Sequence, residues 1–415
     1  MKIKSVQMVA SAALSIALLA GCSGKAIDGK PIAAHQPKPD VSHLATGAYP
    51  KQPRKLGNVS SVDEGRLVEG VRMSDALPDL AAIDSSLVYP YIWQPEGSTD
   101  ITSRNMSYTN DPIAQPVLDK YGMVVAYLAS SSDSPDLKVD GGSPRQDYRV
   151  MFVTLVRFPD AKSAAAAARE MDEVDYSVSP DNVRVSITKY PEAHGHWRQY
   201  SPTMAVTLAH GDFVIHVLIG NPTTNYGVLT GLIEKTFDST VPKIDSFKAT
   251  PMQDLGRIPR DPDKLLGRTQ YEPGSEGEPE IAPGFLVLGP NVAKQAQDPG
   301  ERNANVFGKA GIDRIAFSSD NGSYVFRARD AKGASTYVNE SIKSRTDIDH
   351  PIAAPVSVAG SKCVEAKPAV WADDPNKRYA CYVTYDRFVG VVYGGDEADV
   401  KLRAAAQYAL LVNDL

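Results

Sequence analysis

Apolar and polar positions divide the chain into strand-like runs and alanine-rich helical runs that come in the same order twice. Residues 123–127 and 312–317 read as strands. They follow Val117-x-x-Lys120-x-Gly122 and Val306-x-x-Lys309-x-Gly311. Arg157-Phe-Pro-Asp160-Ala161-Lys162-Ser-Ala164 then matches Arg327-Ala-Arg-Asp330-Ala331-Lys332-Gly-Ala334, with five shared residues at equal spacing. Asp160 and Asp330 stand where an N-cap belongs, and the alanines at 164–168 favour helix. His210-Gly211-Asp212 and Tyr385-Asp386-Arg387 separate strand pairs as hairpins. The last helix, at about 396–411, sets Val400, Ala404, Gln407 and Leu411 near one stripe. These alternations predict an α+β protein of two related domains, each an antiparallel sheet with helices packed on one face. Three ordered matches imply an internal repeat made by duplication.

The first 22 residues break this pattern. Lys2 and Lys4 precede an apolar run, too short and too interrupted by Gln7, Ser11 and Ser15 to span a bilayer permanently. It ends Leu19-Ala20-Gly21-Cys22, which resembles the lipobox of bacterial lipoproteins. That resemblance implies a signal peptide at 1–21 and a diacylglyceryl group on Cys22, whose two chains hold a protein stably on a membrane. Residues 22–57 are scattered with proline and glycine and read as a flexible tether. The first domain is expected at 58–258, a linker region at 259–304 and the second domain at 305–415. Within the linker, residues 285–288 are apolar enough for a short strand.

Composition narrows the function classes. With 42% hydrophobic and 23% charged residues the chain is of globular type. A formal charge of −6, made more negative by loss of the two lysines, argues against nucleic acid as a partner. Of three cysteines the lipid takes Cys22, leaving Cys363 and Cys381 in an exported, oxidising setting. These two are expected to form a disulfide.

Candidate chemistry is sparse. Arg157 and Arg327 recur just before helix starts, where backbone NH groups favour an anion. An intradomain ion pair is the competing reading for both. Lys162 and Lys332 fall in first helical turns and read as solvated. His194 and His196 would share a side of an extended segment, yet no third zinc ligand can be named, so packing histidines compete with a metal site. Trp93, Trp197 and Trp371 belong by default to the core. No nucleophile elbow, zincin, phosphate-loop or dinucleotide motif is present. No catalytic residue, metal or cofactor is implied.

The lipobox, the Arg-x-x-Asp-Ala-Lys-x-Ala repeat, the cysteine strands and the ending Arg403-Ala-Ala-Ala-Gln407-Tyr408-Ala-Leu-Leu411 together resemble uncharacterised two-domain lipoproteins of actinomycetes. More loosely, the repeat is similar to the extracellular sensor domains of actinobacterial Ser/Thr kinases. The resemblance implies an extracytoplasmic protein held by lipid on Cys22. The duplication, which can place a site between copies, and the absence of a catalytic motif lead to the expectation that it binds an unidentified envelope ligand or protein without enzymatic turnover. The alternative is a hydrolase acting on cell-wall or lipid material, with acidic residues or His194 and His196 at its centre.

Overall fold

The computed structural model describes residues 38–90, 111–134, 139–140, 143–144, 148–275, 277, 279, 281–282, 285–294, 301, 304–318, 322–371 and 374–414. The expected signal peptide, Cys22 and the first part of the tether lie outside the described residues. So do Trp93 and the side chain of Trp371.

The strands, in chain order, are β1 (Tyr89–Pro90), β2 (Val125–Ser132), β3 (Val139–Asp140), β4 (Ser143–Pro144), β5 (Val150–Arg157), β6 (Val183–Arg184), β7 (His194–Trp197), β8 (Thr203–His210) and β9 (Phe213–Gly220). The second half continues with β10 (Phe285–Leu288), β11 (Arg314–Ser318), β12 (Ser323–Arg327), β13 (Asp349–Ile352), β14 (Lys362–Ala366), β15 (Tyr379–Tyr385) and β16 (Phe388–Gly394). The longer helices are α1 (Val62–Met73), α2 (Asp111–Lys120), α3 (Ala161–Tyr176), α4 (Tyr226–Ser246), α5 (Val306–Ala310), α6 (Ala331–Ser344) and α7 (Glu397–Val412).

Two antiparallel sheets result, ordered β1-β2-β5-β9-β8-β7-β6 and β10-β11-β12-β16-β15-β14-β13. With the β3–β4 ribbon set aside, the two orders are the same. Local chemistry is shared too. The Asp160 carboxylate accepts from Ser163 N and the Asp330 carboxylate from Gly333 N, both at 2.7 Å, each satisfying an orphan donor of a helix start. Lys120 pairs with Glu170 at 2.6 Å, and Lys309 with Glu340 at 2.5 Å.

The class and the antiparallel sheets are as expected, but the helices cover both faces of each sheet, not one. Thr207 of β8 donates to Ala168 O of α3 at 2.9 Å, and the register Thr207↔His216↔Thr154 puts Thr154 on that same face. Met151, three residues from Thr154 along β5, therefore points the other way, and it meets Thr236 of α4 at 3.6 Å. In the second sheet Phe326 packs on Tyr337 of α6, their rings tilted and 4.4 Å apart between centres. Ser323, on the opposite face, donates to Gln407 of α7 at 2.9 Å. The physical sign was in β5 itself: Val-Met-Phe-Val-Thr-Leu-Val-Arg is buried at all eight positions, and a strand covered on both sides has no need of polar alternation.

Two boundaries also change. Residues 38–57 are not a free tether, because Val41, Leu44 and Leu56 are buried. Tyr49 donates to Asp399 at 2.7 Å, Tyr271 to Gln52 O at 2.7 Å and Asn413 to Lys51 O at 2.8 Å. Three apolar anchors and these bonds offset the ordering cost that composition alone predicts to be prohibitive. The described part of the expected linker at 259–304 likewise packs: Leu265, Leu266, Tyr271 and Ile281 are buried, and Phe285–Leu288 pairs with β11. Buried side chains of both halves form one continuous cluster. Cys363 and Cys381, opposite each other on β14 and β15, are joined by the expected disulfide. Among the described residues no helix is long and apolar enough to cross a membrane.

Candidate functional site

Helix α1 lies between the halves, packed against β2 of one sheet and β10 of the other. Ser61 caps it, accepting from Glu64 N at 3.0 Å. Gly65 lets it approach the turn at 252–257: a Cβ there would fall 1.8 Å from Leu255 O. Two of its glutamates are buried and paired. Arg260 grips Glu64 through two bonds of 2.6 and 3.0 Å, and Ser60 N and Ile281 N also donate to it. Burial alone would raise the Glu64 pKa, but these donors bring it down to about 2. Glu69 accepts from Arg157 at 2.7 Å, Arg72 at 2.5 Å and Thr250 N at 2.8 Å.

Beyond these pairs, the C-terminal part of α1, the end of α4, the segment after Arg260 and β10–β11 enclose a cavity of about 530 Å³. That is the size of a small-molecule site. Val68, Val71, Ala76, Phe247, Leu286 and Val287 supply apolar wall; Arg72, Asp75, Lys243, Lys248, Asp263 and Arg314 supply charge. Arg314 bridges Asp75 at 2.9 Å and Asp263 at 3.3 Å. Asp75 Oδ1 is buried without a hydrogen-bond partner, and burial pushes that carboxyl's pKa up. Gly289 leaves room for it, since a Cβ there would meet Asp75 Oδ1 at 1.6 Å. Lys243 donates to Leu77 O at 2.8 Å, and burial pushes its ammonium's pKa down.

The two repeat arginines, read in the sequence as possible anion ligands, stand behind this cavity and not in it. Arg157 is buried, holds Glu69 and donates to Thr250 O at 2.6 Å. Arg327 holds Asp313 at 2.7 Å and the cavity residue Asp263 at 3.1 Å. Each is an intramolecular ion pair, so its charge is spent on the fold. Lys162 and Lys332 are exposed.

His196 is buried beside α3, its Nδ1 2.8 Å from Asp172 and its Nε2 3.5 Å from Asp175. His216, beside it, has no partner at Nδ1. Burial, then the neighbouring His196, lowers the His216 pKa to about 4. None of these groups lines the cavity. No group of three or more His, Cys, Asp or Glu that could hold a metal occurs among the described residues. Trp197 packs on Tyr226 at 5.1 Å between ring centres.

Sequence reasoning missed α1 and the cavity residues altogether. Val68 and Leu286 are brought together only by the fold, and neither sits in a motif.

Fold and cavity together define a two-domain α+β protein with a pocket where its halves meet. The chain belongs to the family of the domain of unknown function DUF7373: the N-terminal family model matches residues 56–260 and the C-terminal model residues 265–414. No curated protein and no solved structure matches the chain.

Proposed function

We propose that this protein is a lipid-anchored envelope lipoprotein that binds a small ligand in the cavity between its two halves and does not turn it over. The observation that carries this reading is the cavity itself, walled by α1 and α4 on one side and β10–β11 on the other. The cavity is of ligand size and mixes apolar wall with a few charged groups. The sequence supports the address: a signal-like segment ends at Cys22, the expected site of acylation, on the extracytoplasmic side of a membrane. Equal strand order and matching Lys–Glu pairs support an origin by duplication. The likeness to actinomycete lipoproteins and kinase sensor domains fits a receptor that passes its signal through an envelope partner. The hydrolase reading is weakened because His196 is engaged with Asp172 and Asp175 away from the cavity.

Two experiments test this. The full chain, incubated with an envelope extract and weighed by native mass spectrometry, should carry bound mass that Val287→Trp removes; turnover of an extract component, abolished by one point substitution, would overturn the proposal. Cys22→Ser should release the protein from membranes; retention would defeat the anchor.

A further inference from the structure

The charged groups around the cavity are not equally committed. Arg260 is spent on Glu64, Arg72 on Glu69, and Arg314 on Asp75 and Asp263. The lysines at the end of α4 differ. Among the described residues Lys243 donates to the Leu77 carbonyl, a neutral acceptor, and to no carboxylate. Asp79 and Asp75 act on it through space, but Asp79 is paired with Lys294 at 2.8 Å and Asp75 with Arg314 at 2.9 Å. Lys248 is exposed and has no side-chain partner among the described residues. Two lysines without a carboxylate partner thus line a cavity whose carboxylates, Asp75 and Asp263, are bridged by Arg314. Val68 and Val71 of α1 and Leu286 and Val287 of β10 give that cavity an apolar wall. An apolar body is therefore favoured along that wall, and a negative charge beside Lys243, whose half-burial strengthens the attraction, and beside Lys248, where solvent screens it.

We propose that the cavity takes a single-chain anionic amphiphile. Its acyl chain lies against α1 and β10, and its carboxylate or phosphate is received by Lys243 and Lys248. This rests on the reading of the cavity as the ligand site. Ammonium groups are compact point charges, without the fork that matches one head geometry. They accept a fatty-acid carboxylate or a lysophospholipid phosphate alike.

The test uses the full chain carrying Cys22→Ser, so that no acyl group of its own competes. Affinities are measured by calorimetry for hexadecanoate, palmitoyl-lysophosphatidylglycerol, hexadecanol, hexadecyltrimethylammonium and inorganic phosphate. At least one anionic amphiphile should bind about tenfold more tightly than hexadecanol, the worth of one charge-assisted hydrogen bond. The tighter of the two identifies the source. Lys243→Gln with Lys248→Gln should erase that advantage while hexadecanol affinity stays, which shows the fold intact. Equal affinity for hexadecanol, preference for the cationic chain, or phosphate binding as tightly alone would overturn the proposal. If no amphiphile binds but an extract ligand is still displaced by Val287→Trp, the amphiphile inference fails and the binding site stands. If Val287→Trp displaces nothing, both fall.

Discussion

Arg157 and Arg327 hold the same station in two sheets of the same strand order, and they are stabilised in opposite ways. Arg157 pairs in register with Phe213, and Arg327 with Phe388. Yet Arg157 is buried against a fully buried Glu69, whereas Arg327 holds Asp313, whose side chain is 55% exposed. The layers beside them diverge likewise. Under α3 the cross-strand row is Thr154, His216 and Thr207; under α6 the matching row is Tyr324, Val391 and Tyr382. The pair four residues before each hairpin strand ends is Gly195–Val206 in one half and the Cys363–Cys381 disulfide in the other. One topology thus accepts a polar lock or a covalent and aromatic one. Backbone hydrogen bonding and sheet coverage set the architecture, and side chains choose how each half is fastened.

The largest expected effect breaks the polar lock. Arg157→Ala leaves buried Glu69 with Thr250 and, as its one remaining cation among the described residues, the partly exposed Arg72, and should cost about 3 kcal/mol, read as a drop in denaturant midpoint. Arg157→Met with Glu69→Gln should recover part of that, because the stranded charge is gone. An unchanged midpoint for Arg157→Ala would deny that the buried pair fastens its half. Next, Cys363→Ser should cost about 2–4 kcal/mol through freedom restored to the unfolded chain, with hydrogen exchange rising in β14 and β15 before β7 and β8. A uniform rise would deny that the halves are fastened separately.

A third test is acidity. His216 titrates near 4 in the fold, below its ordinary 6.5, so the unfolded chain binds more protons between those values. Stability is fully present above pH 6.5 and falls toward pH 4, by at most about 3 kcal/mol. His216→Val, which copies Val391, should flatten that slope. Glu64, lowered to about 2, adds a loss only below pH 4.5. The smallest effect is Arg327→Ala, at about 1 kcal/mol, since solvent screens its partners.

What was legible in the sequence was local or repeated. Asp160 and Asp330 announce their caps because capping needs only three residues. The Arg-x-x-Asp-Ala-Lys-x-Ala match reads out two equivalent strand-to-helix corners. Cys363 and Cys381 pair because few alternatives remain. Glu69, 88 residues from Arg157, leaves no local trace, so the choice between anion ligand and ion pair stayed open until the fold decided it. The cavity was hidden for the same reason, being built from α1, α4 and β10. Residues 38–57 misled by composition: proline and glycine count against burial on average, but Val41 and Leu44 need only one groove each. The near-continuous apolar run in β5, interrupted by Thr154, did announce cover on both faces, a signal weaker than the hairpins.

The bonds from Tyr49 to Asp399 and from Asn413 to Lys51 join residues 350 and 362 positions apart. A ribosome makes one partner some 350 residues before the other. Closing so long a loop costs little more entropy than closing one half its length, but it cannot begin until the last helix exists, and such distant contacts slow folding. A chain folding as it is made would therefore hold residues 49–51 unplaced, and they would be sealed only when α7 follows.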